Sequence, residues 1–251
     1  MIQVNFLKED KTNFGVNEAF KGLRTNITFC GDDMRVIMIT SCVSHEGKSS
    51  TAFNLARSFG ESGKKTLFVD TDIRNSTTTT RYMVDQKVLG LTNFLAGQNA
   101  LQEIVYSTNY ENMHIIFSGQ VSPNPVELLG SDRFKDMIAK LRREYDYIII
   151  DTAPLGEVID AAVIAKVCDG SALVLQADAI SYRLAQSVKD QLEKTGTRIL
   201  GVILSKVSVA HKGYGKYGYG KYGYGRYGKY GYGKYGYGYG YGNGYGQHPD
   251  K

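Results

Sequence analysis

The chain predicts an α/β fold, a mostly parallel sheet with helices on both faces, followed by a long appendage without regular structure. Two observations carry this. Short apolar runs of β-forming residues recur up to Val207, separated by segments of helical spacing or loop character, the pattern of strands buried on both faces. Beyond Val207 the periodicity stops, and glycine at every second or third position makes ordering costly.

Taken in order, residues 1–13 read as a loose lead-in. Glu18–Phe29 places Phe20, Leu23 and Ile27 three and four apart, which predicts an amphipathic helix. The apolar runs Val36–Ile39, Thr66–Val69, Tyr147–Ile150 and Leu173–Leu175 predict strands, and Ile199–Leu204 a fifth. Asn54–Ser62 and Tyr182–Lys194 are the clearest intervening helices. Thr77–Thr80 is polar and β-branched, a poor helix former, and is expected to be a loop beside the site. Residues 14–208 thus form one domain, with 14–30 as its leading helix, and 209–251 a disordered tail. Glycine-rich statistics give some forty residues a root-mean-square reach of roughly 32–38 Å.

Charge divides the chain at the same place. The 251 residues carry a net charge of +5, yet from His211 onward seven cations face Asp250 alone, leaving 23 basic and 24 acidic residues before it. The domain is near neutral, so composition gives no support to nucleic-acid binding by it. Cys30, Cys42 and Cys168 form no CxxC pair, which excludes a disulfide framework or zinc site of recognisable spacing. The first ten residues lack a signal-sequence pattern, and no apolar run approaches the roughly 18–20 residues of a membrane span. The expected location is the cytoplasm, with membrane association through a partner.

The chemistry concentrates at three predicted strand ends. RVIMITSCVSHEGKSSTAFNLA reads strand, loop, helix, with Gly47-Lys48-Ser49 where the helix opens. Backbone N–H groups of Val43, Ser44, His45, Glu46, Gly47, Lys48, Ser49 and Ser50 would cradle phosphates, Lys48 would reach the β- and γ-phosphates, and Ser49 would hold magnesium. The full GxxxxGK[ST] pattern is not met, because Cys42 holds the first glycine position. A second strand ends in Asp70-Thr71-Asp72, whose carboxylates point to one side in extended chain. A third, YIIIDTAP, ends in Asp151, as a Walker B strand does. Each Asp alone could merely cap a helix; three in this order predict a P-loop NTPase-like nucleotide site. The tail adds an acceptor chemistry. Tyr214, Tyr217, Tyr219, Tyr222, Tyr224, Tyr227, Tyr230, Tyr232, Tyr235, Tyr237, Tyr239, Tyr241 and Tyr245 alternate with glycine and cations, a dense set of phosphorylatable phenols.

These residues together resemble the bacterial tyrosine kinases of capsule and exopolysaccharide biosynthesis, in the separate cytoplasmic form of Gram-positive type. The likeness spans Gly15 to Val207 and extends to the tail. It covers the phosphate loop, FVDTDIR as the family's Walker A′, IIIDTAP as Walker B, GLTNFLAG and SPNPVELL. EAFKGLRTNI is similar to the family's ExxRxxR oligomerisation element, which assigns Glu18, Lys21 and Arg24 to a subunit contact. The competing reading of that trio is an ordinary solvated helix face with (i, i+3) pairs. The resemblance implies autophosphorylation in trans of the tail tyrosines with ATP and Mg2+, controlling polysaccharide synthesis and export. Lys48, Asp70, Asp72 and Asp151 would be catalytic, and Ser49, Asp70 and Asp151 the metal ligands. It also implies a ring-like homo-oligomer (an octamer is one size), a separate transmembrane activator that recruits the kinase to the inner membrane face, and a cognate tyrosine phosphatase.

Three departures from the family pattern stand out. His45 replaces a common glycine, Lys21 replaces an arginine, and Ser205 sits where related ATPases often place an adenine-reading asparagine. Two other readings compete. A ParA- or MinD-like ATPase switch shares the site, but carries a signature lysine where this chain has Val43. A low-complexity nucleic-acid-binding or self-associating protein would use the Gly/Tyr repeats as stacking platforms.

Overall fold

The computed structural model describes residues 2–8 and 13–207. The elements in chain order are β1 (Ile2–Val4), α1 (Phe14–Thr28), β2 (Val36–Ser41), α2 (Lys48–Glu61), β3 (Thr66–Asp70), α3 (Thr78–Arg81), α4 (Leu91–Leu95), α5 (Leu101–Ile104), β4 (Tyr106–Thr108), β5 (Met113–Ile116), α6 (Pro125–Leu129), α7 (Asp132–Leu141), β6 (Tyr147–Asp151), α8 (Asp160–Ile164), β7 (Gly170–Gln176), α9 (Tyr182–Lys194) and β8 (Arg198–Ser205). The strands form one sheet in the order β1-β4-β5-β3-β6-β2-β7-β8. Every neighbouring pair is parallel except β4 and β5.

The central strands are apolar on both faces because both are covered. Along β2, Val36 and Met38 face one buried cluster, where Phe134, Met137, Leu141 and Leu192 supply α7 and α9 side chains. Ile37 and Ile39 face the other, built on Phe53, Leu55 and Phe59 of α2 and Ile27 of α1. This alternation is the strand's period of two. It leaves only the strand ends free for polar chemistry.

The five apolar runs all lie within strands, and Tyr182–Lys194 is a helix, begun by Ser181, whose hydroxyl accepts from the Leu184 N–H at 3.3 Å. The first helix starts at Phe14 rather than Glu18, because Asn13 caps it by accepting from the Val16 N–H at 2.9 Å. Two expectations are corrected. The lead-in is not loose throughout: Ile2–Val4 pairs with Tyr106–Thr108, and buried Phe6 meets Phe53 edge-on at 5.2 Å. Thr77–Thr80 is not all loop either. Thr78–Arg81 forms one helical turn, held because Thr78 is buried and bound to Asp70. The tail at 209–251, with all thirteen predicted acceptor tyrosines, lies outside the described residues.

Candidate active site

Parallel register sets the acidic side of the site. Asp70 and Asp151, the last residues of β3 and β6, are direct cross-strand partners, so their side chains leave the sheet on the same side. On the opposite flank of β6 lies β2, with Ile39 paired to Asp151. The loop leaving β2 therefore rises beside both carboxylates and enters α2 at Lys48. Gly47 makes the entry in the left-handed region, at φ 90°, where a side chain would be strained.

Lys48 Nζ donates to Asp151 Oδ1 at 2.8 Å and to Ser49 Oγ at 3.1 Å. Lys48 is 7% exposed, Asp70 and Asp151 1% each. Two buried carboxylates thus share one buried cation. Burial, then the Asp151 charge, push the Asp70 carboxyl up to about 7, against hydrogen bonds from Ser76 and Thr78 and the Lys48 charge. Burial also raises Asp151, opposed chiefly by Lys48. Both shifts come first from burial, which the single Lys48 charge does not fully offset.

Asp72 stands slightly apart. Its N–H donates to Asp70 Oδ1 at 3.1 Å and its own Oδ1 accepts from the Asn75 N–H at 3.0 Å. It braces the turn that carries Asp70, while its charge still reaches Asp151. The same turn is anchored by Arg74, which forks onto Asp160 at 2.7 and 2.9 Å. Asp160 is fully buried.

The predicted phosphate-loop residues divide in two. The Val43 N–H is taken by Glu46 Oε2 at 2.7 Å, and the Ser44 N–H by Glu157 Oε1 at 2.7 Å. Ser44 Oγ also donates to Glu157 Oε2 at 2.7 Å. Gly156 permits that approach, since a Cβ there would lie 2.2 Å from the Cys42 carbonyl oxygen. The N–H groups of His45, Glu46 and Gly47 have no protein acceptor among the described residues. With the uncapped start of α2 at Lys48, Ser49 and Ser50, they present an open surface of N–H groups suited to an anion. His45 adopts φ 66°, the glycine-like conformation its position requires. Ser205 spends its hydroxyl hydrogen on the Glu46 carbonyl.

Sequence reasoning missed Ser76, Thr78, Glu157 and the role of Arg74. Ser76, Thr78 and Glu157 lie outside the motifs, Arg74 closes FVDTDIR, and all four find their partners only through tertiary folding. The oligomer trio is paired within the chain. Lys21 donates to Glu18 at 2.8 Å, and Arg24 binds the Ser58 carbonyl of α2.

This fold and loop define a P-loop nucleotide-binding domain, and the AAA domain family profile matches residues 34–206. The finer assignment follows from the relatives. Tyrosine-protein kinase CpsD of Streptococcus pneumoniae is 46% identical over 200 residues, covering 80% of this chain and 88% of that protein. Tyrosine-protein kinase YwqD of Bacillus subtilis is 36% identical over 204 residues, covering 80% and 86%. Among solved structures, the chimerical protein CapA2B2 aligns with a TM-score of 0.73 at 31% identity, over 81% of this chain and 93% of that one. The kinase domain of Escherichia coli tyrosine kinase ETK aligns at 0.72 and 30%, over 81% and 80%. MinD of Pyrococcus horikoshii, complexed with Mg-ADP, is more distant at 0.59 and 30%, over 68% and 69%. The chain belongs to the bacterial tyrosine-protein kinase family.

Proposed function

We propose that this chain transfers the γ-phosphoryl group of ATP to tyrosine hydroxyls, first those of the 209–251 segment on a neighbouring copy. The observation that carries this is the Lys48–Asp151 pair beside Asp70, three groups from three elements brought to one pocket. The reaction is ATP + tyrosine-OH → ADP + phosphotyrosine. The phenol oxygen bonds to the γ-phosphorus, the bridging bond to ADP breaks, and the phenol proton passes to a base.

The protein contributes positioning and charge. Lys48 exchanges Asp151 for the transferring phosphoryl group. The Glu46 and Gly47 amides and the start of α2 hold the phosphates. Asp70, at the end of β3 beside Lys48 and Asp151, is suited to orient the phenol and accept its proton. Asp72 and Arg74 keep its turn in place. The oxygen donors of Ser49, Asp70 and Asp151 fit a magnesium ion, and the excess buried negative charge calls for one. Among the described residues no cluster of three or more His, Cys, Asp or Glu forms a metal cage, so the ion's remaining ligands would be phosphate and water, as magnesium prefers. When bound it would neutralise charge on the phosphates.

No helix among the described residues is long and apolar enough to cross a membrane. We assign the kinase to the cytoplasm, where a transmembrane activator recruits it, Glu18, Lys21 and Arg24 contact a neighbour in a ring, and a tyrosine phosphatase reverses the reaction. The regulated process is capsule or exopolysaccharide synthesis. The MinD-like switch is disfavoured by Val43, where that group carries its signature lysine.

The test is incubation of the purified full chain, with its activator, in labelled ATP and magnesium. Phosphotyrosine in the tail is expected, lost in Lys48→Ala and in Asp70→Ala. ATP hydrolysis without phosphotyrosine would select the switch reading, and phosphotyrosine persisting in both variants would refute the site.

A further inference from the structure

The phosphate loop is gripped from behind by the end of the last strand. Lys206 Nζ donates to the His45 carbonyl at 2.7 Å and to Gln176 Oε1 at 2.9 Å. The Ser205 hydroxyl donates to the next carbonyl, that of Glu46. The end of β8 is itself fixed, because Ser205 is paired with Gln176 of β7 and its carbonyl accepts from the Ala177 N–H at 3.0 Å. The Glu46 carboxylate closes the frame by accepting from the Gln176 N–H at 3.0 Å and the Val43 N–H at 2.7 Å.

No peptide bond in the described residues is cis. In a planar trans peptide the C=O and the following N–H point in opposite directions. Pulling the His45 carbonyl towards Lys206 therefore turns the Glu46 N–H the other way, and pulling the Glu46 carbonyl towards Ser205 does the same for the Gly47 N–H. These are two of the three loop amides, with that of His45, that have no protein acceptor among the described residues. His45 needs help to hold this arrangement, since it lies at φ 66°, whereas Gly47 takes its φ of 90° freely.

We propose that Ser205 and Lys206 are positioning residues for phosphate binding: they hold two successive carbonyls of the loop outward, so that the Glu46 and Gly47 amides face the nucleotide phosphates. This rests on the loop being the ATP site. It gives Ser205 a task distinct from adenine reading, and it ties phosphate affinity to the strand that leads out of the domain.

The experiment measures MgADP binding to the full chain by calorimetry, with KM and kcat for ATP alongside, in Ser205→Ala, Lys206→Met, Lys206→Gln, Ser205→Thr and Lys206→Arg. Both side chains are at least partly exposed, so these variants fold. Losing the neutral bond should weaken MgADP binding about fivefold, and losing the charge-assisted one about tenfold. KM should rise in step while kcat changes less than about twofold, because the loop amides bind ground and transition states alike. Ser205→Thr and Lys206→Arg should restore near-native affinity, and Lys206→Gln, which keeps a donor without charge, should fall nearer wild type than Lys206→Met. Wild-type affinity in Ser205→Ala and Lys206→Met overturns the proposal. So does a Lys206→Gln as weak as Lys206→Met whose defect vanishes at about 0.5 M salt, the mark of remote charge. Calorimetry does not require phosphotransfer, so a chain that binds MgADP but makes no phosphotyrosine leaves this contact standing. A wild type that binds no MgADP sinks both.

Discussion

Replacing Asp70 with asparagine should stabilise the isolated domain at alkaline pH and leave it unchanged at acid pH. The sign follows from its raised pKa. A carboxyl that holds its proton more tightly when folded contributes stability that is full below its unfolded value near 4 and lost as pH rises through about 7. Raising the carboxyl from its usual value near 4 to about 7 corresponds to at most about 4 kcal/mol, because the group is buried and little screened. Asparagine is neutral throughout, so it escapes this loss. It also keeps an acceptor for the Asp72 N–H and can donate to the Ser76 hydroxyl. Thermal melts of both proteins in a metal chelator, from pH 4 to pH 8.5, give the difference directly, since other groups titrate in both and cancel. A gap opening by roughly 2–4 kcal/mol is expected, about 4–16 °C for a domain near 200 residues. With saturating magnesium and ADP the gap should close or reverse, because the wild type then has its missing positive charge. A gap that stays flat across this range, or widens towards acid, would refute the account of an under-neutralised carboxylate pair.

Arg74→Ala strands the fully buried Asp160 carboxylate and should cost about 3 kcal/mol in urea unfolding. An unchanged midpoint would mean the fork contributes little to the fold. Glu157→Gln removes a negative charge from the phosphate loop while keeping an acceptor for the Ser44 N–H, and should tighten MgADP binding a few-fold; weaker binding would show that the carboxylate shapes the loop rather than competing with phosphate. Each tail phosphate adds about −1.5 to −2 charge, so three or four cancel the tail's excess and further ones reverse it. Light scattering should then show a smaller assembly for the fully phosphorylated chain, and equal size in both states would count against charge-driven release.

What could be read from the sequence was what depends on local pattern. Val36–Ile39, Thr66–Val69 and Tyr147–Ile150 announce themselves because a strand buried on both faces must be continuously apolar, and an Asp ending such a run has nowhere to go but the sheet's polar edge. The strands β1, β4 and β5 were not read, for the complementary reason. They lie at one side of the sheet, are only three or four residues long, and take their order from partners distant in sequence. Thr78 shows the same limit at the site: its propensity argues against helix, and a hydrogen bond to a residue eight positions back, made only once β3 is in place, overrides it.

The departures at His45 and Ser205 acquire a joint explanation once the fold is known. A glycine at position 45 would enter the left-handed region freely, whereas histidine there is held at a cost of order 1 kcal/mol. That cost must be met by contacts that fix the loop. Two of them are the bonds from Lys206 to the His45 carbonyl and from Ser205 to that of Glu46. An asparagine directed at the base could not serve as this brace at the same time. The two substitutions are therefore coupled: restoring glycine at 45 should lessen the loop's dependence on position 205. A double-mutant cycle of His45→Gly with Ser205→Ala, read by MgADP affinity, should give a combined loss smaller than the sum of the two, and strict additivity would separate them.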